Sequence, residues 1–255
     1  MFRKFHMIFV PMLTIGAVGA AILGDEFGNP LLASGSSSKL QFAAMVGSVP
    51  AKQQPAAAQL GNEAGKQQLV YTVKHSKYGK IGTYTNTIEH QGDTTNVTTN
   101  AKLAVSVLGV NMYRQDISRR ETWKGDRIVD FHGVTTENGK TVELNGKAEG
   151  DHFAVTTPEG KTNAPADVRL ANPWSREALD GDMMLTPDRG KLESVRVGGK
   201  EQATLNIGNR QVQTEHIQVL RSGGAGRYDV WLDDKGTPVQ FSVVGDDVVT
   251  FTLTG

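Results

Sequence analysis

The stretch Tyr228-Asp-Val-Trp-Leu-Asp-Asp-Lys-Gly-Thr-Pro-Val-Gln-Phe-Ser-Val243 decides the fold. Tyr228, Val230 and Leu232 recur at every second position, Asp234-Lys235-Gly236 supplies turn chemistry, and Val239, Phe241 and Val243 alternate again. Successive strand side chains point to opposite faces, so a period of two lines one face with apolar groups, and a short turn sends the chain back antiparallel. The unit is a β-hairpin.

The same unit recurs outward from this point. Leu69/Tyr71/Val73, Leu103/Val105/Val107 and Arg127/Val129/Phe131 alternate, whereas Val248-Val-Thr-Phe-Thr-Leu253 is apolar on both faces and reads as a strand covered on two sides. Turn signals separate the runs at Tyr78-Gly79-Lys80, Lys124-Gly125-Asp126, Glu137-Asn138-Gly139, Asn145-Gly146, Pro158-Glu159-Gly160, Gly198-Gly199, Gly208-Asn209 and Gly245-Asp246. Asn138-Gly139 is the strongest of these, because a type I′ turn needs positive φ at both central positions. The pattern predicts a mainly β fold of about ten strands in an antiparallel up-and-down sheet. A twisted sheet of that size curls into a half-barrel with a concave apolar face.

Over residues 161–190 the alternation lapses. Asn172 reads as the cap of a helix beginning at Pro173, so one or two short helices are expected there. Trp174, Leu179, Met183, Met184 and Leu185 form an apolar stripe flanked by Asp180, Asp182 and Asp188. The stripe reads as core between the two β halves, or as a lid or plug over the concave face. Methionine suits either role.

The first residues carry Arg3 and Lys4 ahead of an uncharged run from Met7 to Gly24, read as a signal peptide or an N-terminal membrane anchor over residues 1–24. Residues 25–66, rich in Ala, Gly, Ser, Gln and Pro, read as a flexible linker, and residues 67–255 as the antiparallel β domain. The expected location is the periplasm of a Gram-negative-type envelope or the exterior. Contact with a membrane is expected only through an uncleaved N-terminal segment.

Composition closes several function classes. The chain has no Cys, which removes disulfides, thiolate metal sites, cysteine nucleophiles and a lipid-modified cysteine. Its 27 basic and 27 acidic residues leave no global charge to attract nucleic acid. No nucleophile elbow, HExxH, phosphate loop or GxGxxG occurs, and Gly223-Gly-Ala-Gly226 reads as a hairpin. His75, His90, His132, His152 and His216 fall on separate strands with no i, i+2 pair, so neither a metal site nor a cofactor is expected. Asp180/Asp182, Asp233/Asp234 and Asp246/Asp247 sit at turns, where Asp bonds its own backbone. The Thr83/Thr85/Thr87 hydroxyls read as a solvated strand face. Arg114, Arg119, Arg120, Lys124 and Arg127, interleaved with Asp116, Glu121 and Asp126, read as a charge-paired surface around Trp123.

The elements Tyr71-Thr-Val-Lys, Gly79-Lys-Ile-Gly82, Glu121-Thr-Trp-Lys-Gly125, Asn172-Pro-Trp-Ser175 and Tyr228-Asp-Val-Trp-Leu-Asp-Asp-Lys-Gly236 resemble an uncharacterised family of secreted proteobacterial proteins classed as a domain of unknown function. The resemblance covers roughly residues 69–255 and brings no activity with it. More distantly, the organisation is similar to periplasmic lipoprotein carriers of the LolA/LolB type, which implies a curved sheet enclosing an apolar cavity for acyl chains.

Three functions are weighed. The leading expectation is a non-enzymatic periplasmic protein that binds a lipid, acyl chain or other apolar ligand on the concave face. Trp174, Leu179, Met183 and Met184 would line or gate the cavity, and Tyr71, Tyr84 and Trp231 would contribute walls. The second is an envelope structural module with a self-filled core that binds a protein partner. The third is a hydrolase using Asp180, Asp182 and Asp188 with His152 or His216, although no catalytic residue is assigned.

Overall fold

A computed structural model describes residues 65–222 and 226–254. The leader, most of the linker and residues 223–225 of the expected Gly223-Gly-Ala-Gly226 hairpin lie outside the described residues. Fifteen strands are present among the described residues. They are β1 (Lys66–His75), β2 (Gly79–Gln91), β3 (Thr94–Val107), β4 (Val110–Lys124), β5 (Arg127–Glu137), β6 (Lys140–Glu149), β7 (His152–Thr157) and β8 (Gly160–Pro165) in the first half. The second half holds β9 (Arg169–Leu170), β10 (Met183–Leu185), β11 (Leu192–Ile207), β12 (Arg210–Arg221), β13 (Arg227–Leu232), β14 (Pro238–Val244) and β15 (Val248–Leu253).

They form one sheet in the order β8-β7-β6-β5-β4-β3-β2-β1-β15-β14-β13-β12-β11-β10-β9, antiparallel throughout except for the β9–β10 pair. The two ends of the described chain therefore pair with each other in the middle of the sheet, Tyr71 opposite Leu253. The two sheet edges are consecutive in sequence: β8 ends at Pro165 and β9 starts at Arg169. Four Cα steps span about 15 Å at most. Strands at opposite edges of so wide a sheet meet within that distance only if the sheet curls nearly shut.

The curl follows from the side-chain pattern. Leu69, Tyr71, Val73, Val230, Leu232 and Phe241 are all buried on the inner face. Phe241 and Phe251 stack with centroids 4.3 Å apart, and Tyr71 and Tyr84 meet Phe241 edge-on at 5.2 and 5.9 Å. Such aromatic contacts add to area burial.

Several expectations are corrected. No α-helix forms in residues 161–190, where a single 3-10 turn spans Glu177–Leu179. Asn172 does not cap it, because its side chain is consumed by buried partners on β2, β3 and β4. Leu179, Met184 and Leu185 are buried core, the last two on β10. Asn145-Gly146 is not a turn but lies inside β6, where Gly146 leaves room for the Phe153 ring; a Cβ would sit 2.5 Å from it. Gly198-Gly199 is a register shift within β11. A similar shift between Thr122 and Trp123 turns Ile128 inward, so Ile128 and Phe131 are buried rather than Arg127 and Val129. β15 is not covered on two sides, since Phe251 is its one buried residue. The Asn138-Gly139 turn is as predicted, with φ of 49° and 83°.

Candidate functional site

Strand β4 builds the site. Its inward column runs Tyr113, Gln115, Ile117, Arg119, Glu121, Trp123, while Arg114, Arg120 and Lys124 face outward. The charge-paired surface expected from the sequence is thus divided: strand alternation sends Arg119, Glu121 and Trp123 to the interior. Opposite Arg119 stands Gly133, whose missing side chain leaves space for the arginine stem and the Phe131 ring.

The lower part of the column is a closed polar network around Glu121. Asn172 Nδ2 donates to Glu121 Oε1 at 2.6 Å and Trp123 Nε1 donates to Oε2 at 2.9 Å. Asn172 Oδ1 accepts from Tyr84 Oη at 2.8 Å and Asn86 Nδ2 at 3.1 Å, and Thr99 Oγ1 donates to Asn86 Oδ1 at 2.7 Å. Burial pushes the Glu121 carboxyl up to about 7, against the pull of these donors and of Arg119. The Trp174 indole lies edge-on to Trp123 at 5.9 Å, and the Arg169 guanidinium sits over the Trp123 ring, 5.8 Å from its centroid.

Above the network lies a cavity of about 190 Å³. Tyr84, Arg119 and Ala171 border it from the network side, and Phe241, Phe251, Ile81, Val243 and Val249 supply apolar wall. Exposed Arg189 and Lys191 mark its rim. Arg221 is paired with Glu193, its Nε donating to Oε2 at 2.6 Å. His75 is buried at the wall, its Nδ1 accepting from the Lys77 backbone, and burial lowers its pKa.

Arg119 is different. It is 7 % exposed, its Nε is buried without a hydrogen-bond partner, and no described carboxylate forms an ion pair with it. A buried cation without an ion-pair partner is costly.

Of the seven residues expected at the ligand, Tyr84 borders this cavity. Tyr71 is fully buried behind it, its hydroxyl donating to Pro238 O at 2.8 Å. Trp174, Leu179 and Met184 pack in and around the insert, and half-buried Met183 accepts from Ser194 Oγ. Trp231 stands on the outer face, stacked on His216 at 4.5 Å. Sequence reasoning missed Arg119, Glu121 and Asn172. The signal was present in the period-two run from Tyr113 to Trp123.

Neither His152 nor His216 is paired with Asp180, Asp182 or Asp188, the combination expected of a hydrolase. His152 meets Asp151 and Glu149, and His216 lies between Glu201 at 2.9 Å and Asp229 at 3.1 Å. Asp180 contributes its carbonyl to Arg169. Among the described residues no group of three or more His, Cys, Asp or Glu is placed to hold a metal. Thr83 and Thr85 border a polar groove with Asn100, Lys102 and Asp116.

A family model described as a domain of unknown function, DUF6134, matches residues 71–254. No curated protein matches the chain. A solved structure titled a beta-barrel-like protein of domain of unknown function DUF1849, from Brucella abortus, is similar with a TM-score of 0.54 and 11% identity over 74% of this chain and 96% of that one. At that identity the likeness carries the fold alone.

Proposed function

The chain belongs to the DUF6134 family, a domain of unknown function, and from its cavity we propose that it is a non-enzymatic protein that binds an apolar ligand inside the curled sheet. The observation that carries the reading is the cavity, walled by aromatic and aliphatic side chains and bordered by a few charged groups. An engineered cavity of about 150 Å³ takes up benzene. At about 190 Å³ this one suits part of a single acyl chain rather than a multi-chain lipid anchor. The basic and apolar start of the sequence, residues 1–24, supports action in the periplasm or outside the cell.

Native mass spectrometry with organic extraction, on the full-length chain purified from a bacterial envelope, tests this reading. A stoichiometric apolar mass is expected. A homogeneous apo mass, together with no uptake of any single-chain amphiphile, would overturn it.

A second reading, docking of an envelope protein partner, is favoured by one specific feature. The last β2–β3 pair is Gly82–Leu103 and the last β4–β5 pair is Gln115–Glu137, so the β3–β4 hairpin projects beyond both neighbours. All four exposed large hydrophobic residues among those described, Val107, Leu108, Val110 and Met112, lie on that projection. Apolar side chains beside unpaired strand edges suit β-augmentation by a partner. Cross-linking from a residue placed at the exposed position of Asn111 on the same projection, followed by identification of the captured protein, tests it. Loss of capture on Leu108→Asp is expected, and capture indifferent to that change overturns it.

A further inference from the structure

We propose that the cavity selects a carboxylate-headed single-chain amphiphile, with Arg119 as the headgroup receptor. The inference rests on the ligand-binding reading above and names the ligand's chemistry.

Three observations carry it. Arg119 borders the cavity, is more than nine-tenths buried, and has a buried Nε with no acceptor. A guanidinium presents Nε–H and a neighbouring Nη–H as two parallel donors, the fork that a carboxylate accepts with both oxygens. The remaining charge around the cavity leans the same way: Arg119, Arg189, Lys191 and Arg221 stand against Asp188 and Glu193. Arg221 is already committed to Glu193, which leaves Arg119 as the buried cation without an ion pair among the described residues. The third observation is placement. Arg119 lies at the network side of the cavity, beside Tyr84, whereas Arg189 and Lys191 are exposed at the rim. An anionic head seated at Arg119 directs its tail along Ile81, Phe241, Val243, Val249 and Phe251.

The internal polar network does not fill this role. Glu121 is two residues further along the same column, with both carboxylate oxygens occupied by Asn172 and Trp123, and it acts on Arg119 without forming an ion pair. Gly133 opposite leaves the arginine stem its space, and no protein acceptor reaches its Nε.

The test is isothermal titration calorimetry of the delipidated full-length chain with decanoate and with decanol, which share a tail and differ in the head. Wild type is expected to bind decanoate at least about ten-fold more tightly. Arg119→Met, which keeps length and apolar bulk, is expected to equalise the two. Its melting temperature should not fall, because a buried unpaired charge has been removed. Arg119→Lys should fall between, retaining charge without the fork. Equal binding of decanoate and decanol by wild type overturns this inference and leaves the apolar cavity standing. Binding of neither overturns this inference, and together with a homogeneous apo mass it overturns the proposed function as well. Preference for decanoate that persists in Arg119→Met overturns the assignment to Arg119.

Discussion

Asn172 Nδ2 and Glu121 Oε1 stand 2.6 Å apart across 51 residues of sequence, and this one hydrogen bond fastens the irregular segment of residues 171–182 to the inner face of β4. Asn172 is also the acceptor for Tyr84 and Asn86 on β2 and a donor to Thr99 on β3, so it joins three strands to the insert. Its neighbourhood explains why a residue expected to begin a helix instead ends in the core.

Asn172→Ala should therefore leave Glu121, Tyr84 and Asn86 short of partners in a buried site. Each unsatisfied buried group costs about 1–3 kcal/mol, so a loss of about 2–4 kcal/mol in urea unfolding is expected. A change within 0.5 kcal/mol, roughly that of an ordinary surface substitution, would show that water replaces the side chain.

Glu121 should impose a pH dependence on stability. Its folded pKa, about 7, lies above the unfolded value near 4.5, so the folded state binds the proton more tightly. The corresponding stabilisation is complete below the unfolded value and is lost as pH rises through about 7. His75 acts in the opposite sense, its lowered pKa making stability fall as pH drops. The comparison is therefore between wild type and Glu121→Gln. Subtracting their unfolding free energies from pH 4 to 8 should give a slope of about 1 kcal/mol per pH unit or less through that window, and a flat difference would contradict the assignment.

Two glycines without positive φ should behave differently on gaining a methyl group. A Cβ on Gly146 would lie 2.5 Å from Phe153 ring atoms, whereas one on Gly199 meets nothing within 4 Å. Gly146→Ala should cost about 1–3 kcal/mol by overpacking and Gly199→Ala close to nothing. Chemical denaturation of both variants separates them.

Ligand affinity should follow the cavity rather than the aromatic residues most conspicuous in the sequence. Val243→Phe places bulk in the apolar wall and should weaken decanoate binding about ten-fold or more. Trp231→Ala, on the outer face beside His216, should leave it unchanged. Calorimetry on the two variants checks the face assignment, and a large effect of Trp231→Ala would reverse it.

Leu108 is 99 % exposed and adopts φ of 50° at the hairpin tip, where neither burial nor backbone preference explains a leucine. Leu108→Gly should stabilise the isolated protein by up to about 1 kcal/mol while weakening partner capture. Thermal unfolding and cross-linking read the two effects separately.

The strands, most of the turns and the curl of the sheet were legible in the sequence because they arise from local rules. Period-two alternation is written along each strand, and Asn138-Gly139 carries its own backbone preference. The alternation of faces is also local, but only until a bulge intervenes, and it does not by itself say which face turns inward. One extra residue near Trp123 exchanged the faces of Arg127, Ile128 and Val129. Only the tertiary structure decided that the two ends of the described chain pair in mid-sheet, that Asn172 reaches Glu121 on β4, and that Arg119 borders one cavity with Phe241 and Phe251. These are relations between residues tens of positions apart. They are set by closing one curved surface on itself, and no window of sequence contains both partners.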